Sequence, residues 1–197
     1  MKIILASKSV ARQNMLQAVG LQFDSIPADL DEDALTENAI AQHQSPREIA
    51  LMLAQEKALA ISKQNPDVLV IGSDQILECD GEVLYKAENE DEAKDKLKFL
   101  SGKTHYLISA VTAVKGSEIL WMHADSAALT MKTLSDDYLE NYCASAGEAL
   151  IRSVGAYEIE SLGARLFAKV EGDFFTIQGL PLLPLLQYLE DEQEIGL

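Results

Sequence analysis

The sequence predicts an α/β fold, built from a mixed twisted sheet with flanking helices. Two short apolar runs, residues 3–6 and 68–71, have the composition of buried strands, and segments with helix signals lie between them. Two longer strand-like segments, 104–114 and 118–132, flank a turn at Gly116. A long hairpin of this kind argues against a purely parallel, doubly wound sheet.

Capping residues mark the helices in the first half of the chain. Ser9 caps a first helix, and Gly20 suits its end. A second helix is predicted over residues 45–62, because its first residues, SPRE, combine a capping box with proline in the first turn. These signals predict one helix that begins after Ser9 and a second helix over residues 45–62.

Turn and cap residues delimit the remaining elements. Asp80-Gly81 is the predicted turn of a hairpin that follows the second apolar run. Asn89, Ser135 and Pro181 each mark the start of a further helix. Because no repeat or low-complexity linker interrupts this pattern, a single domain over residues 1–197 is expected.

The chain is strongly acidic, with a formal net charge of −16. Such a surface repels the phosphate backbone of nucleic acids, so stable DNA or RNA binding is not expected. No run of about 18 apolar residues is present, and the first apolar segment is too short for a signal peptide. No membrane association and a cytoplasmic location are therefore expected.

Cysteine and histidine form no recognisable metal site. Cys79 and Cys143 belong to no CxxC pair, and the three histidines lie far apart without HxxxH spacing. A zinc, redox or histidine metal site is therefore not expected.

The segment between the first strand and the first helix is a candidate anion site. Backbone N–H groups at a helix start can bind an anion, and the helix dipole favours it. Ser7 and Ser9 add hydroxyl groups, while Lys8 and Arg12 add positive charge. The alternative is that Ser9 only caps the helix.

Lys57 is a candidate because of its place on the second predicted helix. Ile49 and Leu53 precede it at steps of four, so Lys57 continues an apolar stripe. A lysine there commonly extends to the surface. The alternative is an ammonium group that points into a pocket.

The segment Gly72–Gln75 directly follows the predicted strand at 68–71. Ligand sites often lie beyond the carboxyl ends of such strands, and Asp74 there could bind a metal or orient water. A plain turn is an equally good interpretation of this segment.

Lys86 closes the predicted hairpin. A two-residue loop pairs Cys79 with Glu82 and Gln75 with Lys86. A regular ladder places Asp74 and Lys86 on opposite faces, so the strand must depart from the ladder if both contact one ligand.

An acidic cluster at residues 29–33 could bind a cation through carboxylate oxygens, with Glu32 among the ligands. On so acidic a protein, a solvated loop is the favoured interpretation.

Eight blocks, in order, give the chain a resemblance to a known family. They are LASKSVAR near the start, PADLDE, LAQEKA, VIGSDQ, DGEVLYK, SGKTH, GAYEIESLG and GLPL. In this order they resemble the Maf family of nucleotide pyrophosphatases, and the match runs from Ile3 to about Tyr188, nearly the whole chain.

The resemblance implies a fold and an activity. It implies two lobes around a deep cleft within one domain, and a homodimer is among the expected assemblies. It also implies hydrolysis of a nucleoside triphosphate to the monophosphate and pyrophosphate, with a divalent cation such as Mg²⁺, Mn²⁺ or Co²⁺. An alternative from another class is inhibition of septum formation through protein partners, a role associated with the family.

Site residues follow from the position of each residue in the matched blocks. Asp74 corresponds to the aspartate usually taken as proton acceptor, and its role as base or metal ligand stays open. Arg12, Lys57 and Lys86 are expected to take part in catalysis together with Asp74. Ser7, Ser9 and Ala11 are expected to bind the substrate. Glu32 is expected to bind the metal together with Asp74.

Two further positions bear on the substrate. Gln75 and Glu160 stand where members acting on thymidine or uridine triphosphate have threonine and glutamine, so the chain resembles the branch active on 7-methyl-GTP. The carboxylate of Glu160 can accept hydrogen bonds from a guanine edge. Ala11 occupies the position where that branch usually has tryptophan, and a thymidine or uridine triphosphate substrate is the alternative.

Overall fold

The computed structural model describes residues 2–193, in which seven strands form one mixed sheet in the order β2-β1-β3-β5-β6-β7, with β4 paired to β3. Strands β1 and β3 are parallel, whereas β3 and β4 are antiparallel. The predicted mixed sheet is therefore confirmed. The strands are β1 Ile3–Leu5, β2 Asp24–Ser25, β3 Leu69–Cys79, β4 Glu82–Leu84, β5 Thr104–Lys115, β6 Glu118–Met131 and β7 Phe167–Glu171.

Eight α-helices accompany the strands within the described part of the chain, together with a 3-10 helix over Leu162–Leu166. The predicted helices after Ser9, Ser45, Asn89 and Ser135 are confirmed, since each of these side chains accepts a hydrogen bond from a backbone N–H of its helix. The helices are α1 Val10–Ala18, α2 Glu32–Ala41, α3 Pro46–Ser62, α4 Glu90–Leu100, α5 Asp136–Ala146, α6 Ala149–Arg152, α7 Phe174–Ile177 and α8 Leu182–Gln193.

The chain divides into two compact units. The first contains Met1–Gln75, Ile108–Asp125 and Asp173–Leu197, and the second contains Ile76–Leu107 and Ser126–Gly172. A single domain with two lobes over residues 1–197 stays a prediction, and residues 1 and 194–197 lie outside the described range.

The core of the first unit forms around β1 and β3. Their apolar residues, Ile3 and Leu5 on β1 and Leu69 and Ile71 on β3, are at most 1% exposed. Strands buried on both faces need continuous apolar runs, which is why both segments lack alternation. Residues of α1 and α8 complete this core, among them Leu16, Leu182, Leu185 and Leu189.

Strand β3 continues through the segment that was expected to be a loop or a turn. Gly72 does not end the strand, since β3 runs to Cys79. A Cβ atom at Gly72 would lie 2.1 Å from the carbonyl oxygen of Ala54 and 2.8 Å from the backbone nitrogen of Ala58. The glycine therefore lets the backbone of α3 lie directly against β3, and the expected end of the strand at residue 71 is wrong.

Two other expectations need correction. The acidic residues at 31–33 are not a loop: Asp31 caps α2 through its bond to the N–H of Ala34, and acidic side chains in a first turn favour a helix. The predicted pair of Cys79 and Glu82 is confirmed. However, β4 ends at Leu84, so the ladder stops before it can reach Lys86.

The second unit has a buried aromatic cluster. His105 on β5 bonds to the hydroxyl of Tyr157 through Nε2, at 2.6 Å, and both rings lie against Phe167. Burial lowers the pKa of His105 to about 4, so the ring is neutral at physiological pH.

Candidate active site

The hydroxyls of Ser7 and Ser9 hydrogen-bond to backbone N–H groups at the start of α1, and anion binding there stays a prediction. Ser9 caps the helix through its bond to the N–H of Arg12, at 3.4 Å, and the Ser7 hydroxyl accepts a bond from the N–H of Ser9, at 3.2 Å. The hydroxyl of Ser25 donates to the carbonyl of Ser7, at 2.8 Å, and so ties this loop to β2. Both serine side chains are therefore engaged with their own loop. Ala11 lies on α1 next to Arg12 and is half-buried.

Arg12 has a buried guanidinium group that is held by neutral acceptors. Its Nε donates to the carbonyl of Gly179 at 2.8 Å, and its Nη1 donates to the carbonyl of Ser73 at 2.9 Å and to the Ser7 hydroxyl at 3.3 Å. Within residues 2–193, no carboxylate lies within 4.0 Å of this guanidinium. Burial lowers the pKa of Arg12, and the negative charges of Asp74 and Glu32 oppose that effect. An arginine nevertheless stays charged in proteins, so this site holds a buried positive charge with a fixed orientation.

Lys57 turns inward instead of extending to the surface. It is 7% exposed, and its Nζ contacts Oδ1 of Asp74 at 2.6 Å and Oε2 of Glu32 at 2.7 Å. The favoured interpretation of a surface lysine is therefore wrong. Helix α3 lies close to β3 at Gly72, next to Ala54 and Ala58. Lys57 directly precedes Ala58 on the helix, so it reaches Asp74, two residues after Gly72 on the strand.

Asp74 is a buried carboxyl group that contacts Lys57 and is also influenced by the charge of Arg12. It is 6% exposed, and burial raises its pKa, while the charges of Lys57 and Arg12 offset part of that rise. A carboxylate whose proton affinity is raised can accept a proton more readily than an exposed one. The position therefore suits a general base.

The side-chain amide of Gln75 donates hydrogen bonds to other groups of the protein. Its Nε2 lies 3.0 Å from the hydroxyl of Ser109, 3.1 Å from the carbonyl of Thr176 and 2.9 Å from the carbonyl of Ile177. Contact of Gln75 with a nucleotide base stays a prediction.

The sequence reasoning assigned no role to three residues that contact this group. They are Ser73, whose hydroxyl donates to the carbonyls of Ala110 and Gly179, then Ser109, and Gly179 itself. Gly179 lies in the matched block GLPL, which could have pointed to it, whereas no local signal distinguishes Ser109 from other strand serines.

Lys86 and Glu160 belong to the second unit. Lys86 follows the end of β4 and is exposed. The pKa of Lys96 is lowered mainly by burial of Lys96, and the charge of Lys86 lowers it by a smaller amount. Glu160 is exposed and adds to the negative field at Arg152. Their roles stay predictions.

The carboxylates of the first unit fit a divalent cation by their chemistry. Lys57 contacts one oxygen of Asp74 and one of Glu32, so each carboxylate has a second oxygen that could bind a cation. Carboxylate oxygens suit Mg²⁺ and Mn²⁺. Across the described residues, no group of three or more His, Cys, Asp or Glu side chains could hold a metal. Substrate oxygens would therefore have to complete the coordination.

The fold is that of a mixed α/β protein, in which Lys57 and Asp74 form a buried ion pair, Glu32 contacts Lys57 from a more exposed position, and the buried guanidinium of Arg12 lies within the electrostatic influence of both carboxylates. The Maf-like protein model matches residues 2–192, and the chain belongs to this family.

Two curated relatives cover nearly the whole chain. The nucleoside triphosphate pyrophosphatase of Granulibacter bethesdensis is 44% identical over 195 residues, which are 99% of this chain and 99% of that protein. The 7-methyl-GTP pyrophosphatase of Brucella abortus biovar 1 is 40% identical over 192 residues, 98% of this chain and 96% of that protein. Among solved structures, the Ham1 protein of Staphylococcus aureus aligns over 84% of this chain and 97% of its own at 16% identity, with a TM-score of 0.46. That likeness is too distant to carry an argument.

Proposed function

We propose that this protein hydrolyses a nucleoside triphosphate to the monophosphate and pyrophosphate, by attack of water on the α-phosphorus. Its family and its named relatives support this activity. The structural observation that carries the proposal is the buried guanidinium of Arg12, which has no carboxylate partner within 4.0 Å among residues 2–193 and stands beside the Lys57–Asp74 pair. A buried cation held only by neutral groups is suited to an anionic ligand.

Asp74 takes the proton of the attacking water in this proposal. Its buried position raises its pKa, so it holds a proton better than an exposed aspartate. Lys57 fixes the carboxylate through Oδ1 and leaves Oδ2 to face water or a cation. Lys57 therefore orients the base, and its third N–H is available to a phosphate oxygen.

The phosphates are bound by Arg12 and by the start of α1. The Nε and Nη1 groups of Arg12 are engaged by the protein, so Nη2 is the group that would contact a phosphate oxygen. The N–H groups at the start of α1 and the hydroxyls of Ser7 and Ser9 add hydrogen bonds to the same charge. Lys86 is a further proposed contact to the leaving pyrophosphate, supported by its place in the block DGEVLYK.

Asp74 and Glu32 would hold a divalent cation, such as Mg²⁺, Mn²⁺ or Co²⁺, together with substrate oxygens. When bound, such a cation makes the attacking water more acidic and screens the phosphate charges.

For the base, we propose 7-methyl-GTP as a substrate, with Glu160 as its contact. The name of the Brucella abortus relative supports this choice. Thymidine or uridine triphosphate is the competing substrate.

The experiment is a pyrophosphate-release assay over 7-methyl-GTP, GTP, dTTP and UTP, with Mg²⁺, Mn²⁺ or Co²⁺ and with a chelator. We expect release that depends on the cation and a kcat/KM that is highest for 7-methyl-GTP. Absence of release with every triphosphate and cation would defeat the enzyme proposal, whereas preference for dTTP or UTP would defeat only the choice of substrate.

A further inference from the structure

Lys96 is a half-buried lysine on α4, in the second unit, and its ammonium group binds backbone carbonyls. Its Nζ donates to the carbonyl of Tyr85 and to the carbonyl of Val154, the latter at 3.0 Å. Tyr85 lies on the connection between β4 and α4, whereas Val154 lies on the segment that follows α6. The lysine therefore joins two connecting segments that are distant in the sequence.

The carboxylate at helical spacing from Lys96 is engaged by other groups. Glu92 precedes Lys96 by four residues on α4, which is the spacing of a helical ion pair. Its Oε2 accepts from the N–H of Glu88 at 2.9 Å, and its Oε1 accepts from the side-chain amide of Asn89 at 2.9 Å. Glu92 thus stabilises the start of the helix, and the direct hydrogen bonds of Lys96 go to the two carbonyls.

Lys86 lies on one of the two segments that Lys96 binds. The peptide bond between Tyr85 and Lys86 is planar, so a hydrogen bond to the Tyr85 carbonyl also fixes the orientation of the Lys86 nitrogen. On the other side of Lys86, Ala87 is 6% exposed and is held by packing. Both chain neighbours of Lys86 are therefore fixed, while Lys86 itself is exposed.

The two lysines also influence each other electrostatically. Burial lowers the pKa of Lys96 to about 8, and the charge of Lys86 adds a smaller lowering effect. Burying an ammonium group costs free energy, which hydrogen bonds to the two carbonyls offset. Lys96 is thus held close enough to Lys86 for the two charges to interact.

We propose that Lys96 is a positioning residue, which holds the Tyr85 carbonyl so that Lys86 is directed toward the phosphates of a bound substrate. This inference rests on the proposed function in one respect, that Lys86 contacts the leaving pyrophosphate. A fixed backbone limits the positions that the Lys86 side chain can reach, so less conformational entropy is lost on binding. Lys96 itself makes no contact with the substrate.

Three roles of Lys96 differ in what its loss does. If Lys96 acts through Lys86, its loss has an effect only while Lys86 is present, and the effect is the same for every triphosphate. If it acts through Val154, on the segment that leads to Glu160, its loss changes the preference among triphosphates. If it only stabilises the fold, its loss has the same effect with and without Lys86. A double-mutant cycle separates these cases.

The test is a cycle of Lys96→Met and Lys86→Ala, in which kcat/KM for the four triphosphates and the Kd for inorganic pyrophosphate, by calorimetry, are measured. We expect Lys96→Met to lower kcat/KM about tenfold for every triphosphate, the effect of one or two lost hydrogen bonds, and to raise the Kd. In the Lys86→Ala background, Lys96→Met should change neither quantity further. Lys98→Met, an exposed change that removes the same charge from α4, is the matched control and should leave both quantities unchanged.

An equal fall in both backgrounds, or a fall that differs among the triphosphates, would overturn the positioning role. Thermal unfolding shows whether each variant retains the fold. If Lys96→Met does not fold, Lys96→Gln, which keeps two N–H donors on a shorter side chain, carries the same cycle with a smaller expected fall.

Failure of the proposed function is a separate outcome. If the wild-type protein releases no pyrophosphate from any triphosphate, the proposed reaction fails, and the cycle in the Kd for pyrophosphate still decides the role of Lys96 because it needs no turnover. If that protein does not bind pyrophosphate either, the phosphate contact of Lys86 and the positioning role of Lys96 are both overturned.

Discussion

Lys57 contacts both carboxylates of the site, so its charge sets how readily Asp74 accepts a proton. Burial raises the pKa of Asp74, whereas the charge of Lys57 and its hydrogen bond lower it. Arg12 adds a smaller lowering effect, although it makes no direct contact with the carboxylate. At this scale, the proton affinity of Asp74 depends on the balance between burial and two cations.

Replacing Lys57 by methionine, which removes the cation and keeps the chain length, should raise the pKa of Asp74 further. The base acts in its deprotonated form, so activity is lost as pH falls through the pKa of Asp74. We therefore expect the acidic limb of the kcat/KM profile to move to higher pH. Lys63→Met, at an exposed position after α3, is the control, and an unmoved acidic limb in Lys57→Met would contradict the assigned role.

Asp74→Asn should reduce kcat by roughly 100-fold or more, since the amide cannot accept the proton of water. Steady-state pyrophosphate release measures this effect. Asp67→Asn, an exposed change in the same unit, should leave kcat unchanged. If Asp74→Asn kept near-normal turnover, a general base would have to be sought elsewhere.

The packing of α3 on β3 brings the cation and the carboxylate together. Gly72 leaves no room for a side chain against Ala54 and Ala58, and the close approach lets Lys57 reach Asp74. This packing could not be predicted from the sequence, because a glycine after an apolar run commonly indicates a turn. Local signals such as the caps at Ser45 and Asn89 could be predicted, since they depend only on neighbouring residues.

The burial of Lys57 and the hydrogen bonds that fix Arg12 could not be predicted in the same way. Lys57 meets an aspartate 17 residues along the chain, and Arg12 meets a carbonyl 167 residues away. Helix α2 was missed because Asp31 and Glu32 lie in an acidic run, where a helix start and a solvated loop have similar compositions. The matched blocks contain Arg12, Lys57 and Asp74, but they do not indicate the bonds that these residues make.

Gly72→Ala should destabilise the protein by about 1–3 kcal/mol or more, because the new Cβ meets backbone atoms that cannot turn aside. It should also lower kcat, since α3 must move away from β3. Gly81→Ala is the control: its φ of +85° costs about 1 kcal/mol, but nothing lies within 4 Å of a Cβ there, so kcat should not change. Denaturant unfolding and turnover measure both effects, and a fully stable, fully active Gly72→Ala would contradict this packing.

For the whole molecule, charge and buried ionisable groups determine how conditions affect the protein. The net charge of −16 repels anionic substrates in general, so the positive charges at the site must act locally. No helix among the described residues is long and apolar enough to cross a membrane. One buried ionisable group outside the proposed site, His105, links the stability of the chain to pH in mild acid.

His105 should make the protein lose stability as pH falls from 6.5 to 4. Burial lowers its pKa from 6.5 to about 4, so in this range the unfolded chain binds a proton that the folded chain does not. The contribution is present in full above pH 6.5 and is lost progressively down to pH 4, about 3 kcal/mol in total. His105→Phe should flatten this part of the dependence in denaturant titrations, and exposed His43→Gln should not; equal slopes in both variants and the wild-type protein would exclude this origin.

The site of bond cleavage is tested most directly by hydrolysis in water enriched in ¹⁸O. Attack on the α-phosphorus places the label in the nucleoside monophosphate and leaves the released pyrophosphate unlabelled. Mass spectrometry of the two products measures this distribution after a single turnover. We predict label only in the monophosphate, whereas label in pyrophosphate, or release of inorganic phosphate in place of pyrophosphate, would contradict the proposed reaction.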